Sequence, residues 1–371
     1  MPFSSNCAPR FWITVYIRFS GSTKGVSICL FAMARCLAFR TCSLLVSASP
    51  SHLVATSTGS KLSAVMSSSS LPHQPSSQSR PSSSLSTYLV SPQQLNDALN
   101  SDNDGTGQII PLCGAWFMPN DAEGRKGIDA FRKNRIPNAR FFDLDAVKDP
   151  DSPYPHMLPT CEAFAEGMGK MGIHRDDTIV VYDTEELGIF SAPRVGWTLR
   201  VFGHPKVHVL NNYRLWVRER YPVETGEPAP VEKSKYPVPN FQSQFVVTFT
   251  EMKDIAKDNL SKGGVEDVEI LDARSHGRWS GADPEPRAGL SSGHIPGSTS
   301  LPFQELLDPE TKAFLPKSGL EKVFQAHHVD PSKTIISTCG TGVTASIIET
   351  ALAGADYGDA LDRRVYDGSW T

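Results

Sequence analysis

Cys339-Gly340-Thr341-Gly342-Val343-Thr344 is the segment of this chain best equipped for covalent chemistry. A thiol attacks or carries a group as its thiolate, and the unpaired N–H groups and positive dipole end at a helix N-terminus favour that form. Gly340 and Gly342 let the loop turn tightly, so that several backbone N–H groups, those of Val343 and Thr344 among them, can converge on one anion. A second set of candidates lies upstream, in Leu271-Asp272-Ala273-Arg274-Ser275-His276-Gly277-Arg278-Trp279 and Pro284-Glu285-Pro286-Arg287-Ala288-Gly289. Arginine offers paired donors to a carboxylate and stays charged at any working pH, so Arg278 and Arg287 suit an anionic substrate.

The elements around the cysteine are readable. Thr334 to Thr338 predicts a short buried strand, and Val343, Ile347, Ile348, Ala351 and Leu352 recur at helical spacing until Gly354 offers a stop. Strand, thiol, loop and helix follow in that order. By default a lone cysteine after a strand is a small buried hydrophobe, and a lone arginine is a surface ion-pair partner. The wider pattern is what separates these candidates from those defaults.

The chain has 371 residues, room for two domains and an extension. Its first acidic residue is Asp97, and seven of its 36 basic residues precede that point, leaving 29 against 40 acidic residues in the remainder. An acidic globular part argues against nucleic-acid binding. Up to about Ser86 the chain is rich in Ser, Arg and small apolar residues, as organelle presequences are. Within it, residues 33 to 45 predict a basic amphipathic helix of the mitochondrial type, Met33 is a candidate start, and Met66 could open a cytoplasmic form. Ser67 to Ser86 reads as a disordered tether, and no apolar run is long enough for a membrane span, so no stable membrane association is expected. Cysteines fall at 7, 29, 36, 42, 113, 161 and 339, with no metal-ligand spacing and no disulfide framework; Cys113 and Cys161 read as packing residues.

A weak internal repeat follows the tether. Arg135-Ile136-Pro137-Asn138-Ala139 answers to His294-Ile295-Pro296-Gly297-Ser298, Thr178–Asp183 to Thr334–Cys339, and Val207–Asn212 to Arg364–Gly368. Asp183 stands where Cys339 stands, so one copy has the thiol and the other lacks it. Alternating strands and helices call for mainly parallel sheets flanked by helices. Between the copies, prolines at 222, 228, 230, 237 and 239 mark a semi-rigid linker. The expected organisation is an extension over 1–86, a first unit over 87–221, a linker over 222–242 and a second unit over 243–371.

The loop Cys339–Ala345 resembles the active-site loop of 3-mercaptopyruvate sulfurtransferases, members of the two-domain rhodanese family, and the resemblance covers roughly residues 88 to 371. It implies an α/β protein of two tandem rhodanese-like domains, the first inactive and the second catalytic. It also implies that Arg278 and Arg287 hold the carboxylate and carbonyl of mercaptopyruvate, and that the Thr341 hydroxyl works with His156 and Asp145 of the first domain as a proton relay. Arg274 and Asp272 are expected to be structural, and Arg194 to pack at the domain interface. Relatives that use thiosulfate generally carry Arg and Lys directly after the cysteine, and Gly340-Thr341-Gly342 carries no charge, which points to a monoanionic keto acid. Cys339 would take up sulfur as a persulfide, release pyruvate and pass the sulfur to a thiol such as thioredoxin or to cyanide, with no metal or organic cofactor. The family normally continues after Asp367-Gly368-Ser369-Trp370 with Glu-Trp and a closing helix, so the second domain is expected to be cut short. Thiosulfate sulfurtransfer and sulfur relay toward tRNA thiolation stand as alternatives. A phosphatase is disfavoured, because Ala345 sits where that loop needs arginine and Thr338 where histidine is usual. An inactive scaffold is disfavoured by the intact loop.

Overall fold

The computed structural model describes residues 85–101, 107–262 and 267–371. The presequence, the helix expected at 33 to 45, nearly all of the serine-rich tether and the first four cysteines lie outside them. The first half runs β1 (Leu89–Val90), α1 (Pro92–Leu99), β2 (Ile109–Cys113), α2 (Gly127–Lys133), β3 (Arg140–Phe141), α3 (Cys161–Lys170), β4 (Thr178–Tyr182), α4 (Ala192–Val201), β5 (Val207–Leu210) and α5 (Tyr213–Arg218). The second runs β6 (Val246–Val247), α6 (Phe249–Lys262), β7 (Val268–Asp272), α7 (His276–Ser280), β8 (Ser298–Ser300), α8 (Lys317–Ala326), β9 (Thr334–Thr338), α9 (Ala345–Gly354) and β10 (Arg363–Tyr366).

Each half builds a five-stranded sheet, ordered β1-β5-β4-β2-β3 and β6-β10-β9-β7-β8, and its strand pairs are all parallel. The two orders are the same. Strands covered on both faces need unbroken apolar runs, which Thr-Ile-Val-Val-Tyr in β4 and Thr-Ile-Ile-Ser-Thr in β9 supply. These two strands occupy corresponding places, so Asp183 and Cys339, each the residue just after its strand, are structural counterparts. The other matched segments lead into β3 and β8, span β5 and cover most of β10.

The halves share a core. Ile189, Trp197 and Val201 of the first half pack into a buried cluster with Leu271, Ile335, Ile347, Ile348 and Leu352 of the second. Across the same seam Arg200 Nη1 meets the buried Glu349 carboxylate at 2.5 Å. Helix α9 ends at Gly354, where the sequence offers a stop, and is capped by Ala355. A Cβ at Gly354 would lie 3.3 Å from the Leu89 side chain, a tight contact.

Residues 222–242 form no helix or strand, apart from one antiparallel bridge between Glu224 and Arg135. They are fastened to the first half. Ser234 N–H donates to Gly169 O (3.0 Å) and Gln242 N–H to Val201 O (2.8 Å). Buried Tyr236 gives its hydroxyl to His204 Nδ1 (2.8 Å), whose Nε2–H donates to Asp177 O (2.9 Å).

Candidate active site

Cys339 leaves the carboxyl end of β9, an interior strand, where open parallel sheets collect ligands. It is buried. Its N–H donates to Ser369 Oγ (3.1 Å), which lies 3.8 Å from Sγ, and Trp370 N–H donates to Cys339 O (3.1 Å). Ser369 holds this place through a left-handed backbone, φ 50°. The loop beyond has no side-chain cap at Thr344, and none of the backbone N–H groups of Gly340 to Thr344 meets an acceptor among the described residues.

The first half shows what such a loop can hold. Asp183 accepts hydrogen bonds from the N–H groups of Phe190 (2.8 Å), Ser191 (3.1 Å) and Ala192 (2.9 Å) and from Ser191 Oγ (2.7 Å), at the start of α4. Its own carboxylate fills the cradle. Burial pushes this carboxyl up to about 6 even against those four donors. At the corresponding place the second half has a thiol and an uncharged turn.

Arg278 and Arg287 come to this loop by different routes. The Arg278 guanidinium is clamped by Glu285, Nε to Oε1 at 3.1 Å and Nη2 to Oε2 at 2.6 Å, and Nη2 lies over Gly340, where a Cβ would stand only 3.1 Å away. Arg287 carries a buried Nη1 with no partner among the described residues. Burial holds its guanidinium below the ordinary value, with Cys339 and Arg278 among the charges acting on it. Arg274 is fully buried, paired with Asp272 (2.6 Å) and Glu285 (2.7 Å) and stacked on Trp370, as a structural residue should be.

The first half contributes His156, Asp145 and Arg194. His156 is buried with φ 62°, its Nε2 3.3 Å from Asp145 Oδ1, and Asp145 Oδ2 accepts from Trp116 Nε1 (2.9 Å). With Nε2–H directed at Asp145, Nδ1 is left as a buried lone pair without a donor. Burial lowers this imidazole to about 4, and the charges of Arg194 and Arg287 act in the same direction against Asp145. It is therefore neutral at working pH. Arg194 ties the halves together, donating to His156 O (2.6 Å), Asp367 Oδ1 (2.5 Å) and Gly342 O (3.4 Å), while Asp367 Oδ2 accepts from Leu158 N–H (3.0 Å).

Thr341 is half-buried, and its hydroxyl makes no hydrogen bond among the described residues; Val343 is buried and Thr344 half-buried. Cys113 is buried, its thiol pushed well up by desolvation, whereas Cys161 is half-exposed. Sequence reasoning passed over Glu285, Ser369, Asp367 and Trp116 as site residues. Glu285 alone left a signal, as an acid between two prolines and two residues before Arg287.

The rhodanese-like domain family model matches residues 252–371. The thiosulfate sulfurtransferase TUM1 of Saccharomyces cerevisiae is 42% identical over 296 residues, covering 76% of this chain and 93% of that protein. The 3-mercaptopyruvate sulfurtransferase of Homo sapiens is 38% identical over 290 residues, with 77% and 91% covered. Among solved structures, the sulfur transferase subunit of yeast mitochondrial complex I aligns with a TM-score of 0.69 at 36% identity, covering 76% of this chain and 95% of that one.

Proposed function

This chain belongs to the two-domain rhodanese family of sulfurtransferases, and from that membership we propose that it takes sulfur from 3-mercaptopyruvate onto Cys339. The observation that carries the reading is the combination of an uncharged turn after the thiol with two arginines brought to it from residues 278 and 287. A carboxylate and a keto oxygen are two separated acceptors, and two guanidinium groups from outside the loop match them better than charge inside it.

The Cys339 thiolate attacks the donor sulfur while Arg278 and Arg287 hold the keto acid end. The carbon–sulfur bond breaks, its electron pair passes to the methylene carbon, and the donor's S–H proton ends on that carbon, giving pyruvate and a Cys339 persulfide. His156 is suited to carry that proton: it is neutral, has a free Nδ1 and is oriented by Asp145. Thr341 can join the relay, its hydroxyl being uncommitted. The N–H groups of Gly340, Gly342, Val343 and Thr344 stabilise the charge on the outer sulfur. An acceptor thiolate, thioredoxin among the candidates, or cyanide then attacks the outer sulfur and returns the Cys339 thiolate.

In this reading residues 87–221 are a silent domain that lends His156, Asp145 and Arg194 to the catalytic domain over 243–371. The acid-free, basic residues up to 86 serve as a mitochondrial presequence, in keeping with a relative that is a mitochondrial subunit. Thiosulfate is the second donor to test, because the yeast relative bears that name. Incubation with mercaptopyruvate should add 32 daltons, about one sulfur atom, to the peptide bearing Cys339 and release pyruvate, with both lost in Cys339→Ser. Persistent turnover in Cys339→Ser, or sulfur uptake from thiosulfate alone, would rule the reading out.

A further inference from the structure

We propose that Glu285 is the residue that sets donor specificity, by fixing Arg278 over the thiol loop and cancelling one of the two positive charges that face the donor. This rests on the sulfurtransferase reading above and adds the reason for a monoanionic donor. Glu285 is 2% exposed in its side chain, and three guanidinium N–H groups converge on it: Arg278 Nε and Nη2, and Arg274 Nη1. Burial alone would push its carboxyl up, yet the hydrogen bonds and charges of the two arginines hold it below the ordinary range.

The two neighbouring arginines are paired within the protein. Arg274 also engages Asp272, and Arg194 is matched by Asp367. Asp145 is more than half exposed and is screened by water, and its neighbour His156 is uncharged. Besides the attacking thiolate itself, the donor is faced by Arg278, Arg287 and Glu285, two positive charges and one negative. Arg278 is thereby a placed guanidinium with little charge to spare, and Arg287, with its unpartnered Nη1, is the free one. One net charge suits one carboxylate. A dianion would bring a second negative charge into a buried site whose remaining donors are the uncharged N–H groups of the loop.

Removing the Glu285 charge strengthens attraction for every negative charge on the donor, and a dianion gains twice what a monoanion gains. In Glu285→Gln the ratio of thiosulfate to mercaptopyruvate kcat/KM should rise about tenfold over wild type. Glu285→Asp keeps the charge but shortens the clamp, so both donors should lose kcat/KM with their ratio within about twofold of wild type. Equal losses for the two donors in a folded Glu285→Gln would mark a merely structural residue and overturn the proposal. A measurement on the wild type stands whether or not the variants fold: pyruvate should protect Cys339 from iodoacetamide at lower concentration than sulfate does, and the reverse order overturns the proposal too. Wild type that turns over mercaptopyruvate while its Gln variant keeps the same ratio sinks only the role of Glu285. Wild type that ignores mercaptopyruvate sinks the donor reading and this inference together.

Discussion

Around Cys339 the polar groups do several tasks with few atoms. Ser369 Oγ receives the Cys339 N–H and has one proton to place, either on Tyr366 O (3.1 Å) or on the thiol sulfur (3.8 Å). A sulfur gaining negative charge draws that proton toward itself. Ser369→Ala leaves a buried N–H without an acceptor, and urea unfolding should register a loss of about 1–3 kcal/mol. Single-turnover sulfur uptake should slow in the same variant, and unchanged values in both measurements would remove Ser369 from the site. Chemical type and the family resemblance together make Cys339, Arg278 and Arg287 legible as candidates in the sequence. Ser369 is not, because its place depends on a left-handed backbone and on a partner 30 residues away. Glu285 and Arg278 are only seven residues apart, yet nothing in their spacing tells which arginine the acid will hold.

The turn from β9 into α9 is held from outside rather than by its own cap. Gly342, at φ 76°, lies so close to Arg194 that a Cβ would meet Nη1 at 2.7 Å and Asp367 O at 2.9 Å. Gly342→Ala therefore combines a strained backbone with a clash against the brace between the halves. Its kcat/KM should fall about a hundredfold, with a stability loss of about 1–3 kcal/mol seen by thermal unfolding. Wild-type kinetics in this variant would show the brace to be dispensable. Strand and helix at this turn are readable from apolar spacing, since β9 and the start of α9 fall close to where the pattern puts them. Gly354 ends α9 as the pattern reads it, and it also packs close to Leu89, a second use of glycine that sequence does not distinguish from a stop signal.

Across the whole molecule, acid sensitivity follows from two imidazoles buried in neutral form. Desolvation lowers both His156 and His204 from 6.5 to about 4. Between those values the unfolded chain binds the protons and the folded one does not, so stability is full above about pH 6.5 and is lost as pH falls toward 4. Each imidazole contributes up to about 3 kcal/mol to that loss. Urea midpoints should fall steeply from pH 7 to pH 5, less so in His156→Asn, and a flat profile would contradict the burial. The same titration separates the halves' roles: His204 secures the linker through Tyr236, whereas His156 stands at the thiol site. The duplicated α/β plan is legible because two parallel sheets demand two sets of apolar runs. The approach of the first half to the thiol loop comes to the sequence reading only through the family resemblance, since Arg194 meets Gly342 across 148 positions of chain.

Because Asp183 supplies a permanent tenant for the first loop, sulfur loading by this protein should saturate at a single equivalent per polypeptide. Inhibitory oxyanions should then follow a simple hyperbola, although the fold presents two loops of matching design.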